Sequence, residues 1–212
     1  MRKNSSNGVF RYSLTNKSVA LLIFSNIITI IFAVIDNWDL FVIFFVYLCQ
    51  TVIIGFFTAI RILYLKNDSF YGIASGSISD KNFKLVKVFS ASFYLVVVYS
   101  VLWLYFNICR NFLSSSQNPV NLTTFFVIIS IVAFFINHLF SFYYNKERDA
   151  LKKRTFPKVI MHSMYRISAI NLGIVGFGWF FSIFFQLSIV NLIIFLSVKT
   201  AYDVRIHILE HK

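Results

Sequence analysis

Residues 167–198 read ISAINLGIVGFGWFFSIFFQLSIVNLIIFLSV, 32 positions without a charged side chain. A single helix of that length would extend ~48 Å at 1.5 Å per residue. The hydrocarbon core of a bilayer is ~30 Å thick and takes about 20 apolar residues per crossing. The run is too long for one span and short for two. Gln186 and Ser188 are its polar turn cues, and no Gly or Pro lies between Ser182 and Ser188. Read as a hairpin, it returns the C-terminus to the side of the N-terminus and makes six helices. Read as one helix, it makes five, exports Lys199, Arg205 and Lys212, and buries far more length than the layer holds. The hairpin is the reading adopted.

Working outward, the other runs are of the same kind. Positions 19–35, 40–60, 88–109 and 111–145 are also uncharged. The chain is 58% hydrophobic and 13% charged, against about 45–50% and about 25% for a soluble domain. These runs are apolar all round and lack the polar stripe of a water-facing helix. The helices are expected at about 19–35, 40–63, 86–109, 122–144, 160–181 and 187–209. The expected fold is all-α, an integral membrane bundle of six transmembrane helices. Residues 1–18 form a basic cytoplasmic arm and 19–212 a single transmembrane domain. The first run is read as a retained helix: the stretch before it is long for a signal peptide, and residues 32–35 lack small residues at both cleavage positions.

The net charge of +12 would point to nucleic acid in a soluble protein. Here the basic residues flank the spans, so a topological cause is preferred and nucleic acid is excluded as a partner. Nineteen of the 20 Lys and Arg residues fall in the N-terminal arm, around the second and fourth connections, or after 198, leaving only Arg110 opposite. Positive residues stay in the cytoplasm, so both ends are expected inside a cell membrane. Trp38, Trp103 and Trp179 all fall near the expected outer surface, where indole rings favour the headgroup level. Asn121-Leu122-Thr123 fits an outward glycosylation sequon, but the preferred reading is a helix N-cap after Pro119. Cys49 and Cys109 lie in or at the end of apolar runs and read as buried structural thiols.

With a four-residue turn in the middle of the last run, each helix of the hairpin keeps about 14 uncharged residues, ~21 Å. Arg166 and Lys199 then fall near the inner edge of the hydrocarbon and need partners there. Asp203, four residues after Lys199 on the same face, is the nearest acid. His138 and Arg61 reach the same level on their helices. Gln50 sits deeper, and Asn26, Asn171 and Asn191 are also intramembrane. The expected cytoplasm-facing polar pocket therefore comprises Gln50, Arg61, His138, Arg166, Lys199 and Asp203. It would suit an anionic lipid headgroup, a small anionic solute or a proton relay. The plainer reading is snorkelling of the cations to the headgroups. Gln50, with Gly55 five residues on, fits interhelical hydrogen bonding as well as substrate contact.

A second constellation is Asp203-x-x-x-His207-x-x-x-His211. Spacing of four stacks three zinc-type ligands on one helix face, and His138 or His162 from a neighbour would complete a site able to activate water. The same histidines also suit a helix C-terminus, where they complement the dipole. No His-Glu-x-x-His, phosphate-binding glycine loop, nucleotide fingerprint or Ser-His-Asp signature is present. Transport or ligand binding is thus the leading expectation. A metal-dependent intramembrane hydrolase and a structural or assembly role are the alternatives.

Three stretches carry a resemblance: Tyr47-Leu-Cys-Gln50-Thr-Val-Ile-Ile-Gly55-Phe-Phe-Thr-Ala-Ile-Arg61, Phe134-Phe-Ile-Asn-His138, and Lys199-Thr-Ala-Tyr-Asp203 followed by His207. Together they resemble an uncharacterised prokaryotic family of small multi-pass membrane proteins, one of the domain-of-unknown-function families. The resemblance covers most of the spans and implies a fold without an activity. The family pattern usually has an acidic residue where this chain has Gln50. The His-x-x-x-His helix is more faintly similar to membrane hydrolases of the alkaline-ceramidase type. Those have seven helices and further Ser, His and Asp ligands without a counterpart here.

Overall fold

The computed structural model describes residues 17–70, 80–113, 125–151, 155–184 and 189–211, and these are all-helical. Six long helices follow one another: α1 Lys17–Ile35, α2 Leu40–Tyr64, α3 Asp80–Leu113, α4 Phe125–Leu151, α5 Phe156–Phe184 and α6 Ile189–His211. A short 3-10 turn, Asn67–Phe70, follows α2. Four of the helices, α1 to α4, hold segments long and apolar enough to cross a membrane, which marks a membrane-embedded protein. Their outward faces agree. Phe89, Phe93, Val96 and Trp103 on α3 are more than half exposed, a continuous apolar surface suited to lipid. The sequon at Asn121 lies outside the described residues.

The α1–α2 junction closes through local chemistry. Asn37 adopts a left-handed φ of 48°, a conformation Asn tolerates better than most residues. This lets the Trp38 N–H donate to the Ala33 carbonyl at 2.9 Å and the Asn37 N–H to Val34 at 3.4 Å, which satisfies the last carbonyls of α1. Asp39 then caps α2, its carboxylate accepting from the Val42 N–H at 2.8 Å. The Trp38 indole donates to Asp36 at 2.9 Å, and its ring is packed into the core. Trp103 is the exposed ring of the two.

α2 is the central helix. It packs on α3, α4 and α5, while α1 packs on α4 and α6, and α6 also touches α5. Gly55 makes the α2–α3 approach close: a Cβ there would stand 3.0 Å from Val98 Cγ1. Nearby, Thr58 of α2 donates to Ser163 of α5 at 3.0 Å, and Tyr94 of α3 bonds the same hydroxyl at 2.5 Å. Three helices are thus tied at one buried hydroxyl.

Two expected features shift. α3 and α4 run beyond the charge boundaries that ended them in the sequence reading, at both ends for α3 and at the C-terminal end for α4. Charge marks where hydrocarbon should stop, whereas a helix continues into water because its backbone bonds are internal. The last hairpin is also off-centre. α5 ends at Phe184 and α6 begins at Ile189, so 18 uncharged residues belong to α5 and only ten to α6. Lys199 therefore sits well up α6, closer to its start than an even division places it.

Candidate functional site

Distances along the helices explain which side chains meet. Gln50 is ten residues, ~15 Å, from the start of α2, and Lys199 is ten from the start of α6. Asn26 is nine residues, ~14 Å, from the end of α1, and Phe134 nine from the start of α4. Those helix ends share one end of the bundle: Phe32 near the end of α1 and Phe126 near the start of α4 touch at 4.8 Å between centroids. Ser18 at the start of α1 meets His207 near the end of α6.

At that common level Lys199 is caged. An ammonium has three N–H donors. Here Asp203 Oδ2 takes one at 2.7 Å, Gln50 Oε1 another at 2.7 Å and Asn26 Oδ1 the third at 3.0 Å. The Tyr47 ring centroid lies 3.8 Å from Nζ and that of Phe134 5.3 Å, so aromatic faces complete the shell. Asp203, Gln50, Asn26, Tyr47 and Phe134 are fully buried, and Lys199 is 6% exposed. The amides hold their oxygens toward Nζ by donating elsewhere: Asn26 to the Leu22 carbonyl at 2.9 Å, Gln50 to Asp203 Oδ2 at 3.5 Å. Gln50 thereby serves both charges of the pair. Among the described residues, Asp203 Oδ1 and the Tyr47 hydroxyl make no hydrogen bond.

A family model matches residues 10–212. The chain belongs to DUF6498, a family of unknown function. No curated protein and no solved structure matches it. The DUF6498 match runs through all six helices and takes in every residue of the cage.

Of the residues singled out in this DUF6498 chain, Gln50, Lys199 and Asp203 come together. Gln50 is level with Lys199, not above it, because of the off-centre hairpin. Arg166 of α5 is buried. His138 lies one turn beyond Phe134 on α4, buried against the Phe57 ring at 6.4 Å between centroids. Arg61 is eleven residues further along α2 than Gln50 and is half-buried.

The five metal candidates are differently placed. Asp203 is engaged by Lys199, and His207 Nε2 lies 2.8 Å from Ser18 Oγ. His162 is exposed, its Nδ1 2.8 Å from the Lys158 carbonyl of its own helix. The His211 side chain lies outside the described residues. Among the described residues, no three His, Cys, Asp or Glu side chains converge as a metal requires. The spacing of four on α6 is used for two separate interhelical contacts.

Sequence reasoning missed three members of the cage. Asn26 was legible as intramembrane but not as a neighbour of Lys199, although its count from Ile35 equals that of Phe134 from Phe125 to the residue. Tyr47 and Phe134 stand among many aromatic residues and carry no separate signal.

Proposed function

We propose that the protein crosses the membrane six times with both ends in the cytoplasm, and that it carries small ions through the centre built on Lys199 and Asp203. The distribution of basic residues supports the orientation. A level ~15 Å from the helix ends is half the ~30 Å hydrocarbon thickness. Lys199 then lies near the bilayer midplane, with Asp203 one turn further toward the cytoplasm.

One observation carries the reading: a buried ammonium with its three donors taken by Asp203, Gln50 and Asn26. Ionisable groups at such depth are costly and typically mark ion or proton pathways. A buried ion pair is also a poor device for stability, since apolar residues of similar size do as well or better. A lipid headgroup or anionic solute reaches Lys199 only by displacing Asp203. A proton or compact cation reaches the centre by displacing Lys199 from oxygen ligands that suit it, and this second exchange is favoured. The non-enzymatic reading is preferred because Asp203 and His207, two ligands a hydrolase would need, are committed to Lys199 and Ser18.

Flux through reconstituted protein tests this. Liposomes carrying the wild type should collapse an imposed proton, sodium or potassium gradient faster than protein-free liposomes. Lys199→Ala and Asp203→Asn should return the rate to the protein-free level, while Asp68→Ala, in the turn after α2, should leave it unchanged. A wild type that passes none of the three ions, or variants as fast as it, would overturn the reading in favour of a structural role.

A further inference from the structure

The cage can be viewed without its lysine. Asp203 Oδ2, Gln50 Oε1 and Asn26 Oδ1 come from three helices and converge on one point, 2.7, 2.7 and 3.0 Å from Nζ. The Tyr47 ring lies 3.8 Å from the same point. Three inward oxygens, one of them anionic, and a π face make a receptor for a compact cation bearing N–H donors. Two further buried polar atoms of the shell, Asp203 Oδ1 and the Tyr47 hydroxyl, make no hydrogen bond among the described residues. Lys199 fills the receptor but leaves these two atoms unused.

We propose that this cage is a binding site for a primary ammonium ion, with Lys199 as its tethered occupant. The inference concerns the same centre as the proposed ion transport but does not require that ions move. Its ligand class is ammonium or a short primary alkylammonium. The aromatic floor favours these over sodium, whose hydration shell a ring replaces poorly. Choline has no N–H, so it cannot donate to the three oxygens that take the Nζ hydrogens. External ammonium enters when the Lys199 side chain leaves, and the exchange conserves the charge of the centre.

Chemical rescue tests this apart from any flux assay. Lys199→Ala removes the ammonium and three methylenes, leaving Asp203 facing the space. The variant, purified in detergent, should melt well below wild type. Propylammonium or methylammonium chloride should restore most of the lost Tm, rising with the logarithm of concentration. Sodium or choline chloride at equal ionic strength should not. The double variant Lys199→Ala/Asp203→Asn should show no such response, since the anionic ligand is gone. Should Lys199→Ala fail to fold, recovery of folded protein on extraction in propylammonium is the readout, and no recovery counts against the site. Equal rescue by sodium, or an undiminished response in the double variant, would overturn the proposal. Rescue without flux would retain the site and remove the transport reading; flux without rescue would do the reverse.

Discussion

Lys199 shows how one side chain organises the interior. Its ammonium has left water, and the loss is offset by a carboxylate, two amide oxygens and two aromatic faces. Removing one partner leaves a buried charge, at a cost of about 3–5 kcal/mol, while removing both leaves no charge and only the Gln50 and Asn26 oxygens without their donor. Lys199→Met and Asp203→Leu should therefore each destabilise strongly, and their combination should be milder than either. The midpoint of denaturant unfolding in detergent measures this, and simple additivity would mean that the two charges do not depend on each other. Gln50, Lys199 and Asp203 were legible in the sequence because an amide or a charge inside an apolar run has no cheap solution. Asn26 was legible only as a buried amide. Tyr47 and Phe134 were not legible, since among 27 Phe and 11 Tyr residues nothing local distinguishes the ring that will face a cation. His138 and His207 show that a pattern suited to a metal also suits separate contacts to other helices, with Phe57 and with Ser18.

Among the elements, α2 sets the packing because it meets α3, α4 and α5 together. Its approach to α3 depends on Gly55, whose missing Cβ would stand 3.0 Å from Val98 Cγ1. Gly55→Val should destabilise by about 1–3 kcal/mol through overpacking. Val98→Ala introduced beside it should recover part of that loss, since the obstruction is that side chain. Thermal unfolding of the two singles and the double checks this, and an additive double would place the effect elsewhere. Helix existence was legible from the uncharged runs. The ends of α1 and α2 were legible to within two residues, but those of α3 and the C-terminal end of α4 were not, because charge density reports the edge of the hydrocarbon and these helices continue past it. The last hairpin was misjudged for a related reason. An even division of an apolar run assumes two equal helices, whereas α5 takes 18 of the uncharged residues and α6 ten. That asymmetry raises Lys199 to the level of Gln50 and Asn26, and so makes the cage.

For the molecule as a whole, four helices mark a membrane-embedded protein, and the proposed function requires that α5 and α6 cross as well. In that arrangement α6 enters from the outer side with ten uncharged residues, and Lys199 follows at mid-depth. With only four crossings, α5 and α6 would lie on the cytoplasmic side, and Lys199 could not stand beside Gln50 and Asn26, which lie midway along crossing helices. The two arrangements share a cytoplasmic C-terminus, so the position of residues 185–188 decides between them. The direct measurement is labelling of Gln186→Cys, in a background lacking Cys49 and Cys109, with a membrane-impermeant maleimide on intact cells. The account predicts labelling from outside at that position, and labelling of Lys212→Cys only after permeabilisation. Labelling of Gln186→Cys only after permeabilisation would contradict it, because α6 could not then start at the outer end of the bundle and bring Lys199 level with Gln50 and Asn26.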